Sequence, residues 1–102
     1  MEYHKLVRDK IPEIIKDHNE IPNIRILDDE EYTLALEQKL DEEVAEYHKD
    51  RNLEELADIL EVVYALAENL GYRKEDLQDL CDRKRDTRGG FRDRIFLISK
   101  EG

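Results

Sequence analysis

The chain has no tryptophan, one cysteine, two prolines and four glycines among its 102 residues. Each scarcity excludes something. A lone Cys81 rules out an internal disulfide and fits a reducing compartment. No apolar run is long enough to cross a bilayer and no leader pattern opens the chain, so the sequence predicts a cytoplasmic protein with no membrane partner. His4, His18 and His48 are scattered, and no pair has metal-ligand spacing. Positive charge is scarce too. Seventeen Lys and Arg face 27 Asp and Glu, a formal net charge of -10. A surface that acidic repels phosphate backbones, which argues against nucleic acid as a partner. One segment reverses the sign. Residues 82–94, "DRKRDTRGGFRDR", carry six basic and three acidic side chains, a local balance of +3 that leaves -13 on the remainder.

What is present points to one small helical domain spanning residues 1–102. Leu, Ile, Val and Phe number 28, enough to escape the composition of a disordered chain. A domain of this size buries only about two-thirds of its unfolded surface, so association with a second copy is the expectation. Pro12 suits a first helical turn, with Ile11, Ile14 and Ile15 as the apolar side of a short helix. Asp28 or Asp29 can cap a second helix over about 29–49, with Glu31 placed to complete a capping box from Asp28. Asn52 then reads as the N-cap of a third helix that runs to Leu70 and stops at Gly71. A fourth helix is expected over about 73–87, before Gly89 and Gly90. The chain is expected to open with a short extended piece, "NIRILDD" reads as a connection with a brief extended segment, and the apolar, β-prone tail "RIFLIS" reads as a strand or a docking arm. The expected architecture is all-α, with two long antiparallel helices as its body.

The acids within these two helices raise the chemical question. On a helical wheel Tyr32, Leu36, Leu40 and Tyr47 fall within roughly 80° and define an inward stripe. Glu43 lies inside that arc, with no basic residue sharing it, and Glu46 sits at its edge beside Lys39. The third helix is apolar almost all round, with Glu54, Glu61 and Glu68 as a solvent line and Glu55 and Asp58 off that line. Two acid pairs at i, i+3 spacing therefore occupy two helices joined by a short turn. Packed at 8–10 Å, antiparallel helices bring such pairs face to face. Four carboxylates around one cavity repel unless a cation sits among them, and an all-oxygen ligand set selects Mg²⁺ or Mn²⁺. Taken singly, Glu55 reads better as the partner of Asn52 in a capping box than as a metal ligand. Asp41 and Glu54 read as solvent-facing, and Cys81 as core packing on the fourth helix. Lys84, Arg85 and Arg88 either end that helix in solvent, where its dipole favours them, or grip phosphates.

"EEVAE" at 42–46 and "EELAD" at 54–58 resemble the Glu-Glu-x-x-Glu and Glu-x-x-Asp motifs of the MazG-like all-α nucleoside triphosphate pyrophosphohydrolases. "HKLVRDKIPEII" and "RGGFRDRIFL" resemble a subgroup described as phosphoribosyl-ATP pyrophosphohydrolase-like. The resemblance implies a MazG-like helical bundle completed by oligomerisation, as a homodimer or a dimer of dimers. It implies Mg²⁺, or Mn²⁺, held by Glu43, Glu46, Glu55 and Asp58. Glu42 and Glu43 are the implied catalytic acids, with Lys39, Lys84, Arg85 and Arg88 on the substrate phosphates. Such enzymes cleave a nucleoside triphosphate between its α and β phosphates, releasing a monophosphate and pyrophosphate, and several clear non-standard nucleotides from the pool. A rival class is a non-catalytic helical module that binds a metal or nucleotide for regulation.

Overall fold

Helix boundaries follow from their caps. The computed structural model describes residues 1–102, arranged as α1 (Ile11–Asp17), α2 (Asp29–Asp50), α3 (Leu53–Asn69) and α4 (Lys74–Arg88). The all-α expectation holds, and there is no strand. Asp28 caps α2 reciprocally: its carboxylate accepts from the Glu31 N–H at 2.9 Å, and the Glu31 carboxylate accepts from the Asp28 N–H. Asn52 Oδ1 accepts from the Glu55 N–H at 3.0 Å to start α3. The end of α3 is closed by Gly71 at φ 96°, a backbone angle that suits glycine. There the Gly71 N–H reaches the Glu68 carbonyl and the Tyr72 N–H reaches that of Ala67, so two of the orphan carbonyls of the last turn are satisfied. α4 begins where the Arg73 N–H donates to the Asp76 carboxylate at 2.8 Å.

Only Arg51 and Asn52 separate α2 from α3, so the two helices must fold back on each other as a hairpin. Arg51 makes the reversal in the left-handed region, φ 49° and ψ 49°, with its N–H on the Tyr47 carbonyl at 2.7 Å. At the opposite end of the hairpin Asn69 donates to the Thr33 hydroxyl at 2.9 Å. Between these ties lies the core, and it is small: Leu36, Val62 and Ala67 are the only buried residues. α4 packs on α3 alone, near its own start, where Gln78 donates to the Tyr64 hydroxyl and the Lys74 ammonium sits 4.6 Å from the Tyr64 ring centre. From Gln78 to Gly102 every residue is exposed. No helix of the chain is long and apolar enough to cross a membrane.

The chain is extended and open for its size. It exposes 9872 Å², whereas a folded monomer of 12.2 kDa is expected to expose about 6,100 Å². Its radius of gyration is 18.0 Å, against about 13 Å for a compact domain of this length. Leu53, Leu56 and Leu60 leave an apolar stripe of α3 open to solvent.

Two expectations are corrected. Cys81 is exposed instead of packed in a core, because α4 has already left α3 at that point. "RIFLIS" forms no strand, since nothing in the chain offers it an edge, and Ile95 through Ile98 are each at least 78% exposed. The connection read at "NIRILDD" is a connection in the structure, with Ile24 and Ile26 in solvent.

Candidate metal and phosphate site

The elbow between α2 and α3 gathers carboxylates from both helices. Oxygens of Glu43, Glu55 and Asp58 lie within 4.8 Å of one another, and those of Glu46, Asp50 and Glu55 form a second such triad. Glu55 belongs to both. Asn52 uses only the Glu55 N–H, and no bond returns from the Glu55 carboxylate to the cap, so the carboxylate is free to face the other acids. Part-burial and then the neighbouring charges of Asp58, Asp50, Glu46 and Glu43 raise its pKa above the ordinary carboxylate value. All four proposed metal ligands therefore stand at one end of the hairpin, and Asp50 joins them. Three carboxylates converging from two helices, with no Cys or His among them, make an all-oxygen donor set whose chemistry fits a hard divalent cation.

Cations of the chain itself sit against the first triad. Lys39, expected at the edge of the stripe with no partner in the arc, bends one turn along α2 and places its ammonium 3.2 Å from Glu43 Oε1 and 3.2 Å from Glu42 Oε2. Lys39 and Glu43 are 16% and 12% exposed, which corrects the reading of Glu43 as an acid with no basic neighbour. Residues before α1 supply the rest. The Lys5 ammonium lies 3.1 Å from Glu42 Oε1, and Arg8 donates to Asp58 Oδ1 at 2.6 Å. Burial would raise the Glu42 pKa, but hydrogen bonds from Lys5 and Lys39 outweigh it and hold the group below its ordinary value. Lys5 and Arg8 were not legible as site residues. Both lie ahead of α1 outside any helix and reach different helices, Lys5 to Glu42 of α2 and Arg8 to Asp58 of α3, so no spacing in the sequence marked them.

A 42-residue stretch, 41% of the chain, is 60% identical to an uncharacterized protein of Mycolicibacterium smegmatis (strain ATCC 700084 / mc(2)155) and spans 43% of that protein's length. No family model matches the chain, and no solved structure matches it.

The basic segment lies elsewhere. Arg85 and Arg88, with Arg92 and Arg94, line an open hollow of about 500 Å³ around Gly89 and Gly90. Lys84 borders an adjoining one with Cys81 and Phe91. The Arg85 guanidinium lies against Gly90, 3.7 Å from where a β-carbon would stand. None of the six basic residues of this segment makes an ion pair within the chain. A single copy thus brings Lys39 to the acids but leaves Lys84, Arg85 and Arg88 away from them. Arg92 and Arg94 join that cationic cluster, a role the wheel and the helix-end reading could not assign because both lie beyond α4.

Proposed function

We propose that the chain is a Mg²⁺-dependent nucleoside triphosphate pyrophosphohydrolase of the MazG-like kind, cleaving between the α and β phosphates and working as a homodimer or dimer of dimers. The observation that carries it is the convergence of Glu43, Glu55 and Asp58 within 4.8 Å, from two helices, at an elbow of two residues. Glu46 and Asp50 extend the same oxygen-rich wall. The cation, when bound there, polarises phosphoryl oxygens as a Lewis acid. The side chains divide the remaining work. Glu55, with its raised pKa, is better matched to taking a proton from water than Glu42, whose charge is fixed by Lys5 and Lys39. Lys39 aligns Glu42 and Glu43, and Arg8 aligns Asp58. The arginines around Gly89 suit the charge of the departing pyrophosphate. The excess surface and the open leucine stripe of α3 support oligomerisation, with α3 near the subunit contact.

Incubation with mixed nucleoside triphosphates and Mg²⁺, read by a pyrophosphate assay, tests the proposal. Pyrophosphate and nucleoside monophosphate in equal amounts are expected. Release of orthophosphate instead would reject cleavage at the α–β linkage. The alternative is a non-catalytic metal- or nucleotide-binding regulatory module, favoured by the contact of Arg8 with Asp58, which compensates an acid without any metal. Binding of Mg²⁺ and nucleotide with no turnover across a substrate panel would select it.

A further inference from the structure

The chain carries two poles of opposite charge that do not meet. The acidic pole is the hairpin elbow, where Glu46, Asp50 and Glu55 have no cation among them, and every charge that perturbs Glu55 is another acid. At the basic pole, residues 82–94 carry +3, and all six cations lack a partner. Directly after it, Ile95, Phe96, Leu97 and Ile98 are 86%, 87%, 78% and 90% exposed. Four consecutive large apolar residues do not alternate, so an extended segment of them has both faces to bury. Nothing in its own chain covers either face.

We propose that residues 82–98 form an arm that docks on the acidic end of the α2–α3 hairpin of a second copy, so that the partner's arginines complete each site in trans. Charge complementarity selects the occupant: the arm is the only dense cationic surface of a chain whose remainder carries -13. Exposed area selects a second copy over a small ligand, because the excess above a compact monomer is about 3,800 Å². Two-fold symmetry makes the exchange reciprocal, placing an arm and a hairpin end of each chain in the interface. Arm and receiving surface together approach the roughly 20–30 residues a side of a standard interface. Reach is sufficient. The ten residues from Gly89 to Ile98 span about 33 Å when extended, as long as α2 itself. The four arginines of the hollow then face the partner's carboxylates across a space where triphosphate oxygens would sit, and each copy contributes half of the charge pattern. The docking half of this inference stands on charge and exposure. Only its catalytic half rests on the pyrophosphohydrolase reading.

Two readouts separate these halves. In a Cys81→Ser background, a tagged chain with Lys49→Cys and an untagged chain with Asp93→Cys are mixed and treated with a short bis-maleimide; both positions are exposed. A product joining tagged to untagged chain is expected. Its absence, with crosslinks forming only when one chain carries both cysteines, overturns arm exchange and leaves the hydrolysis reading intact. Mixing Glu43→Gln with Arg88→Ala chains then tests completion of the site. Random reassortment makes half of the dimers mixed, each with one intact composite site, so activity should recover to about a quarter of wild type from two nearly inactive parents. Crosslinking without recovery, while wild-type protein hydrolyses triphosphate, overturns completion in trans. Crosslinking by a wild-type protein with no hydrolysis supports the arm and rejects the enzyme.

Discussion

Replacing Glu43 by Gln removes one charge from the acidic elbow, and the sign of its effect can be worked out. Glu43 faces Glu55 and Asp58 with oxygens no more than 4.8 Å apart, which at an effective dielectric of about 20 is about 3.5 kcal/mol of repulsion from each. Against this, Lys39 lies 3.2 Å away, an attraction of about 5 kcal/mol on the same scale. Arg8 already offsets part of the Asp58 charge. Attraction and repulsion therefore cancel to within about 2 kcal/mol, with the balance towards the glutamine. In metal-free buffer the Tm of Glu43→Gln should equal that of the wild type or exceed it by a few degrees. Adding Mg²⁺ at ten times its Kd should stabilise the wild type by about 1.4 kcal/mol, a rise of roughly 6–11 °C for a domain of this size. The variant should show less than half of that rise, and lose hydrolysis. Differential scanning fluorimetry at one fixed protein concentration reads both quantities. An undiminished Mg²⁺ response in a well-folded Glu43→Gln protein would refute the metal assignment. A metal-free Tm more than about 10 °C below wild type would instead show that the Lys39 pair dominates and that the electrostatic balance is misjudged.

Other outcomes follow from particular contacts. Asp28→Ala removes the acceptor for the Glu31 N–H and should cost about 1 kcal/mol in chemical denaturation. Hydrogen bonds from Arg25 and from the Asp28 N–H hold Glu31 down to about 2. Its contribution to stability is complete above the ordinary value of 4.5 and fades as pH falls towards 2, so the Tm gap between wild type and Glu31→Gln should close over that window. Glu55 behaves oppositely. Its pKa is raised, so the ionised group works against the fold above that value, and Glu55→Gln should stabilise metal-free protein near pH 7 but not near pH 4. Arg88→Ala should weaken triphosphate binding by about 1.5–3 kcal/mol, as loss of a charged hydrogen bond does, with Mg²⁺ affinity in the absence of nucleotide unchanged by calorimetry.

Local rules made the helices legible. The caps at Asp28, Asn52 and Gly71 placed the limits of α2 and α3 to within a residue or two, because capping depends on neighbours a few positions away. The meeting of Glu43 with Glu55 and Asp58 was legible for a similar reason: a short elbow leaves a hairpin no other register. What escaped was long-range. Lys5 reaches Glu42 across 37 positions and Arg8 reaches Asp58 across 50, and no periodicity encodes such contacts. Lys39 escaped because a wheel treats side chains as spokes, whereas a lysine stem bends a full turn along its helix. The tail escaped because β-prone composition states a preference for pairing without stating with what.

The elbow has a consequence for how this chain can vary through time. Surface loops ordinarily accept insertions and deletions freely, and the segment from Asn19 to Leu27 fits that pattern. Arg51 and Asn52 do not. One added residue would turn α3 by about 100° relative to α2, carrying Glu55 and Asp58 away from Glu43 while leaving every helix, cap and acid in the sequence intact. Such a descendant would keep both acidic motifs letter for letter and lose the arrangement that gives them meaning. The count of residues between the motifs is therefore inherited information in its own right, as binding on the lineage as the carboxylates themselves.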